Sequence, residues 1–143
     1  MKLYLDSSVL VAAFSPEAFT NRALDILALS PEVIISELTV TETRISLIRK
    51  RKRGAMTAGE VGAALTELTA AIADALLFVE PLPAAAFRAA EDIADRVPGP
   101  VRAMDALHVG MASILRAELA TFDADQAIAA KAEGIATHTE SVS

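Results

Sequence analysis

The stretch MKLYLDSSVLVAAF (residues 1–14) decides the fold. Lys2 to Leu5 read as a short β-strand, and the apolar pattern resumes as a helix over residues 8–14. Between them stand a carboxylate, Asp6, and two hydroxyls, Ser7 and Ser8. Strand, acid and helix in so few residues mark the opening of a β–α unit. The acid at the junction has two physical readings. It is a helix cap, because a side-chain oxygen there accepts from free backbone N–H groups and suits the helix dipole. Or it is a ligand for a cation.

The same alternation continues along the chain. Residues 20–29 carry a second helical pattern, set off from the first by the break Ser15-Pro16-Glu17. EVIIS at 32–36 reads as a second strand, followed by a helix from about Val40 to Lys52 that Gly54 ends. Residues 57–75 read as a helix with Thr57 as its cap and Glu60 at the reciprocal position. Leu77 to Glu80 form a third strand, stopped by Pro81 and Pro83, and helices follow over 84–96 and 103–117. Leu119 to Phe122 read as a fourth strand, 124–132 as a helix capped by Gly134, and 135–138 as a last short strand. Strands alternating with helices predict a three-layer α/β/α fold around a central parallel sheet of four to five strands, in one domain spanning residues 1–143. In such sheets, sites form beyond the carboxyl ends of the strands.

Composition narrows the class. Hydrophobic residues make up 53% of the 143, but aromatic residues only 4%, so the core is built from Ala, Leu, Val and Ile. No run reaches the roughly 20 apolar residues of a membrane span, and the N-terminus lacks the pattern of a secretory signal. The chain has no cysteine, which excludes disulfides and thiolate metal sites. A cytoplasmic protein with no membrane partner is expected. The net charge of −6 argues against a general nucleic-acid coating protein. Yet Arg49-Lys50-Arg51-Lys52-Arg53 concentrates five of the 13 basic residues in one run.

Four acids fall beside predicted strand ends or early in the helices that follow: Asp6, Glu42, Asp105 and Asp123. Singly, each reads as a cap; Thr39-x-x-Glu42 has the form of a capping box and Asp123-x-x-Gln126 resembles one. In a parallel sheet all four converge on one edge, where like charges repel unless a cation sits among them. No Lys or Arg adjoins Asp6 or Asp123 in sequence. A hard divalent ion with oxygen ligands, Mg²⁺ or Mn²⁺, suits such a group. Ser8 and Thr121 are placed to orient the carboxylates as a supporting layer.

LYLDSSVLVAAF at 3–14, ISELTVTE at 35–42, RAMDALHVGMA at 102–112 and LATFDADQAIAAKAEG at 119–134 together resemble the PIN-domain nucleases, and within them the VapC-type toxins of toxin–antitoxin pairs. The resemblance covers nearly the whole chain. It implies a metal-dependent endoribonuclease in which Asp6, Glu42, Asp105 and Asp123 are the catalytic, metal-binding acids, with Asp125 a rival for Asp123 in the same turn. It also implies a homodimer and a small antitoxin partner. The expected reaction is hydrolysis of RNA on one or two Mg²⁺ ions, with water as nucleophile.

Around these acids several residues have open roles. Arg49 to Arg53 read either as phosphate contacts along RNA or as cations favoured at a helix C-terminus. Arg44 and Arg102 flank the acids and suit contact with RNA or with an acidic neighbour. Glu37 reads as a surface or supporting rival of Glu42. His108, three residues after Asp105, is expected to be a packed histidine with one hydrogen bond, and His138 a surface residue. Val61, Leu65, Leu68 and Ile72 of the Ala-rich helix at 57–75 read mostly as a core stripe, with a dimer or antitoxin groove as the alternative. A dehalogenase-like phosphatase would need an acid at Ser8, and a dinucleotide-binding domain would need a Gly-x-Gly-x-x-Gly motif that is missing. A non-catalytic RNA- or protein-binding module of the same fold stays open.

Overall fold

The computed structural model describes residues 1–141, so the last two positions of the expected domain lie outside the described residues. Its elements run β1 (Lys2–Leu5), α1 (Ser7–Phe14), α2 (Thr20–Leu27), β2 (Glu32–Ser36), α3 (Glu37–Lys52), α4 (Ala58–Ala73), β3 (Phe78–Glu80), α5 (Ala84–Arg96), α6 (Ala103–Leu115), β4 (Glu118–Ala120), α7 (Ala124–Ala132) and β5 (Thr137–His138). The five strands form one parallel sheet in the order β3-β2-β1-β4-β5. The expected α/β/α architecture with a central parallel sheet is therefore the observed one.

Period-2 alternation sorts the strand residues to two cores. Leu3, Leu5, Val33, Ile35 and Ala120 face one side, where α1, α2 and α4 cover them with Val9, Leu10, Ile26 and Leu68. Tyr4, Ile34 and Leu119 face the other, under α5, α6 and α7. Because β1 is buried on both faces beyond Lys2, Leu3 to Leu5 carry no charge until Asp6. The strand order reverses between β1 and β4, and a crevice forms at such a switch point. Asp6 leaves β1 there, and Thr121 to Asp123 leave β4 beside it.

The boundaries differ from expectation where the sequence lacks the usual punctuation. α3 begins at Glu37, three residues before Val40, and its cap is Ser36, not Thr39. The Ser36 hydroxyl accepts from Thr39 N at 3.2 Å, and Thr39 Oγ1 accepts from Ser36 N at 3.3 Å. Thr39 thus plays the part usually taken by Glu or Gln, and Glu42 lies well inside the helix and caps nothing. Helices α4 and α6 stop at Ala73 and Leu115, two residues short of expectation. Each turn uses a non-glycine residue at positive φ, Ala75 at 57° and Arg116 at 54°. A reading that looks for glycine passes over both. Gly54 and Gly134, by contrast, adopt φ of 77° and 75° at the helix ends expected of them. β4 covers 118–120, where 119–122 was expected, because Thr121 turns out of the strand to serve the site described below.

One contact fixes the height of α6. A Cβ on Gly110 would lie 3.1 Å from the Ala86 carbonyl oxygen and 3.2 Å from Ala90 N, so α5 and α6 meet backbone to backbone. The Ala-rich face of α5 permits that approach. Gly110→Val forces the two helices apart and is expected to destabilise the fold by about 2 kcal/mol, the usual range for overpacking. Urea unfolding followed by circular dichroism measures it, and an unchanged midpoint would contradict the close packing.

Candidate active site

Asp6 sits between β1 and α1 as the N-cap of α1, and only 3% of it is exposed. A carboxylate so buried needs donors on every side, and it has them. Its Oδ1 accepts from Ser8 Oγ at 2.6 Å and from Val9 N at 3.3 Å, and its Oδ2 accepts from Thr121 Oγ1 at 2.7 Å. Burial pushes the Asp6 carboxyl above its ordinary range. The nearby His108 and the three hydrogen bonds oppose that shift without cancelling it.

Thr121 also accepts from Asp123 N at 3.0 Å, so one hydroxyl ties the ends of β1 and β4 together. Asp123 caps α7, its Oδ1 accepting from Gln126 N at 2.8 Å. The Gln126 side chain does not return to the cap as a capping box requires. Its Nε2 donates instead to Asp105 Oδ1 at 3.2 Å, across to the first turn of α6. Burial raises the Asp105 carboxyl, and the charges of Asp123 and Glu42 raise it further, against the Gln126 hydrogen bond and His108.

Glu42 is held by a buried chain that starts in β1. Its Oε1 is hydrogen-bonded to His108 Nε2. His108 Nδ1 lies 2.7 Å from the Tyr4 hydroxyl, which is 2.7 Å from Ser36 Oγ and 3.3 Å from Thr39 Oγ1. Burial raises the Tyr4 phenol, which stays protonated at neutral pH. A neutral imidazole carrying its proton on Nε2 satisfies this set, with Tyr4 donating to Nδ1 and Nε2 donating to Glu42, and so does an imidazolium, with Nδ1 donating to the Tyr4 hydroxyl. His108 is thus buried, as expected, but with two hydrogen bonds where one was expected.

The four acids are therefore joined by short links: Asp6 through Thr121 to Asp123, Asp123 through Gln126 to Asp105, and Glu42 through His108 to the helix of Asp105. Among the described residues no Lys or Arg forms an ion pair with any of them. Nor, among the described residues, do three acid or imidazole groups form a ready-made metal cage, since each carboxylate leans on a protein donor. The donor set itself, four carboxylates of like charge, has the chemistry of a hard divalent cation site. Gln126, 1% exposed, keeps its Oε1 buried without a hydrogen-bond partner at the same place.

The remaining candidates separate cleanly. Asp125 is exposed in the first turn of α7, outside this set of links. Glu37 is exposed at the start of α3. Arg44 and Arg102 are exposed. Lys50 is engaged with Glu17 Oε2 at 2.7 Å and Ser15 Oγ at 3.2 Å. His138, expected at the surface, is only partly exposed and is hydrogen-bonded to Glu118 Oε1 at 2.7 Å across β4 and β5. Sequence reasoning missed Tyr4 and Gln126 as site residues. Their one signal was a lone tyrosine in an otherwise aliphatic strand, and a glutamine three residues after a capping acid.

The model of the PIN domain matches residues 3–132, and the chain belongs to that family. No curated protein matches it significantly by sequence. Among solved structures, VapC20 of Mycobacterium tuberculosis, a sarcin-ricin loop cleaving toxin, is 21% identical, covers 90% of this chain and 95% of its own, and gives a TM-score of 0.69. A toxin–antitoxin complex from Klebsiella pneumoniae is 18% identical, covering 88% and 89%, with a TM-score of 0.59. DNA-bound VapBC from Salmonella typhimurium is 15% identical, covering 99% of both chains, with a TM-score of 0.68. At these identities the three establish a shared fold.

The burial of Asp6 has a measurable sign. Its native carboxyl titrates above the unfolded value of about 3.9, so the folded state keeps a proton that the unfolded chain has released. Stability then falls as pH rises through that window. At pH 7 in EDTA, Asp6→Asn removes this cost and is expected to raise the thermal midpoint, with the gain shrinking toward pH 4. Paired melts of both proteins check it; a lower midpoint for the variant at pH 7 would contradict the account.

Proposed function

We propose that the chain is a metal-dependent endoribonuclease acting as the toxin of a toxin–antitoxin pair. One observation supports the reading: Asp6, Asp123 and Asp105 are linked through Thr121 and Gln126, and Glu42 is bonded to His108 on the helix of Asp105, with no Lys or Arg among the described residues paired to any of the four. Asp6, Glu42, Asp105 and Asp123 would hold Mg²⁺, with Mn²⁺ as a substitute. When bound, the ion supplies Lewis acidity that acidifies water and stabilises a leaving oxygen.

The chain's own residues set the carboxylates for that task. Ser8 and Thr121 aim Asp6, Gln126 aims Asp105, and His108 aims Glu42. His108 is sealed from solvent and is a positioning residue, not a general base on the substrate. Water, not the 2′-hydroxyl of the RNA, is then the nucleophile, and products carry 5′-phosphate and 3′-hydroxyl ends. Arg49 and Arg53 of the basic run, with the exposed Arg44 and Arg102, supply positive charge for the RNA backbone.

Support for a protein partner comes from the toxin–antitoxin complex of Klebsiella pneumoniae, which shares the fold. An apolar trough of about 600 Å³ between α2 and α4, edged by the exposed Leu24 and Leu76, suits a small antitoxin or a second copy of the chain. No helix among the described residues is long and apolar enough to cross a membrane.

The test is cleavage of total cellular RNA by antitoxin-free protein in Mg²⁺ or Mn²⁺, with the 5′ ends mapped. Discrete cuts are expected to vanish in EDTA and to fall at least about 100-fold in Asp6→Asn and Glu42→Gln, the scale of losing a major electrostatic contribution. Ends bearing 2′,3′-cyclic phosphate would refute the hydrolytic route. Binding of RNA that survives Asp6→Asn, with no cleavage by the wild type, would turn the reading to a binding module. His108→Ala is expected to lower cleavage by roughly 10- to 100-fold, the usual cost of losing a carboxylate's support.

A further inference from the structure

A cleft of about 330 Å³ opens beside the acid site, between the α1–α2 turn and the C-terminal half of α3. Ser8, Phe19, Ser46, Arg49, Arg53 and Phe122 contribute to its lining. It adjoins Asp6 through Ser8. Ser8 Oγ, which donates to Asp6, accepts from Phe122 N at 2.9 Å. We propose that this cleft is a subsite for one unpaired ribonucleotide next to the scissile phosphate, with the base against Phe19 and a flanking phosphate on Arg49 and Arg53. The proposal rests on the nuclease reading above and adds a requirement for single-stranded RNA to it.

Three features favour a nucleotide over a helix-end charge cluster. The first is the aromatic wall. The Phe19 and Phe122 rings lie 5.5 Å apart, tilted by 52°, so Phe122 braces Phe19 from within the fold. Phe19 remains 42% exposed, and its ring lines the cleft. An unpaired base stacks on the face of such a ring, whereas a base within a duplex has none free. Stabilising a helix C-terminus needs no ring.

The second is the division of labour within the basic run. Lys50 is committed to Glu17, which also lines the cleft, so that acid is neutralised in place. Arg49 and Arg53, one helical turn apart on the same face, line the cleft and have no acidic partner among the described residues. Arg51 and Lys52 do not line it. The third is size. The volume is at the small end for ligand sites and suits a single mononucleotide unit.

The test measures binding of a labelled eight-nucleotide single-stranded RNA by fluorescence anisotropy in Mg²⁺, with all proteins in an Asp105→Asn background to suppress cutting. Phe19→Ala is expected to weaken binding roughly tenfold, within the range for losing one base stack, and Phe19→Trp to restore it. Phe19 is packed on Phe122 on one side, so circular dichroism of each variant checks that it is folded before binding is compared. Arg49→Ala with Arg53→Ala is expected to weaken binding and to flatten the dependence of log Kd on log salt by roughly 0.7 for each phosphate no longer neutralised. Arg51→Ala with Lys52→Ala removes the same charge and is expected to change Kd less than twofold. Equal losses in the two double variants, or indifference to Phe19→Ala, would overturn the subsite. Cleavage by the Asp105-intact protein separates the two readings. A protein that cuts RNA but ignores Phe19 loses the subsite and keeps the nuclease. One that neither binds nor cuts loses both.

Discussion

A charge sealed from water at the end of β1 is the constraint on which the rest of the site depends. An ionised carboxylate taken out of water is costly unless hydrogen bonds replace its hydration. For Asp6 those bonds come from Ser8 and Val9 in α1 and from Thr121 beyond β4, so satisfying one side chain joins two strands and a helix. The same hydroxyls then act a second time. Thr121 receives Asp123 N, and Ser8 receives Phe122 N. The path of the chain from β4 into α7 is thus set by residues whose first task is to hold Asp6.

A second polar chain crosses the other core. Tyr4 points to the face opposite Leu3 and Leu5, into a layer made almost wholly of aliphatic residues. Its hydroxyl gathers Ser36, Thr39 and His108, and through the imidazole reaches Glu42. Buried networks of this kind hold a unique arrangement when every member is partnered. Here the reward is orientation: a carboxylate on a long helix is held toward the acids that follow β1, β4 and the α5–α6 loop. The two networks share no residue, yet they meet at the same edge of the sheet because β1 contributes to both, Tyr4 to one and Asp6 to the other.

The layered architecture is legible in the sequence because strand alternation and helix periodicity report burial locally. Asp6 and Asp123 are legible because a carboxylate at a strand–helix junction is conspicuous whatever its role. The support for these acids is not. Tyr4 meets residues 32, 35 and 104 positions away, and spacing within one element says nothing of which side chains face each other across the sheet. Gln126 reads as a helix-capping residue because its neighbours fit that pattern; only the packing of α6 against α7 turns its amide to Asp105. Thr39 passes for a cap because Ser36, three residues earlier, offers the same hydroxyl chemistry from the end of a strand. Lys50 looks like one of five equivalent cations until Glu17, 33 residues away, takes it out of the set.

The tight seam between α5 and α6 has a further meaning. α5 supplies none of the four acids, yet the backbone contact at Gly110 leaves α6 no freedom to slide along it. Asp105 and His108 ride on α6, five and two residues before that glycine. Their depth relative to the sheet is consequently measured from α5, as a stop measures the travel of a drawer. Sequence drift on the outer surface of α5 is free, but a change in its inner alanines would be transmitted as an axial displacement to both an acid and the support of another. The helix most remote from the chemistry by composition is in this sense its ruler.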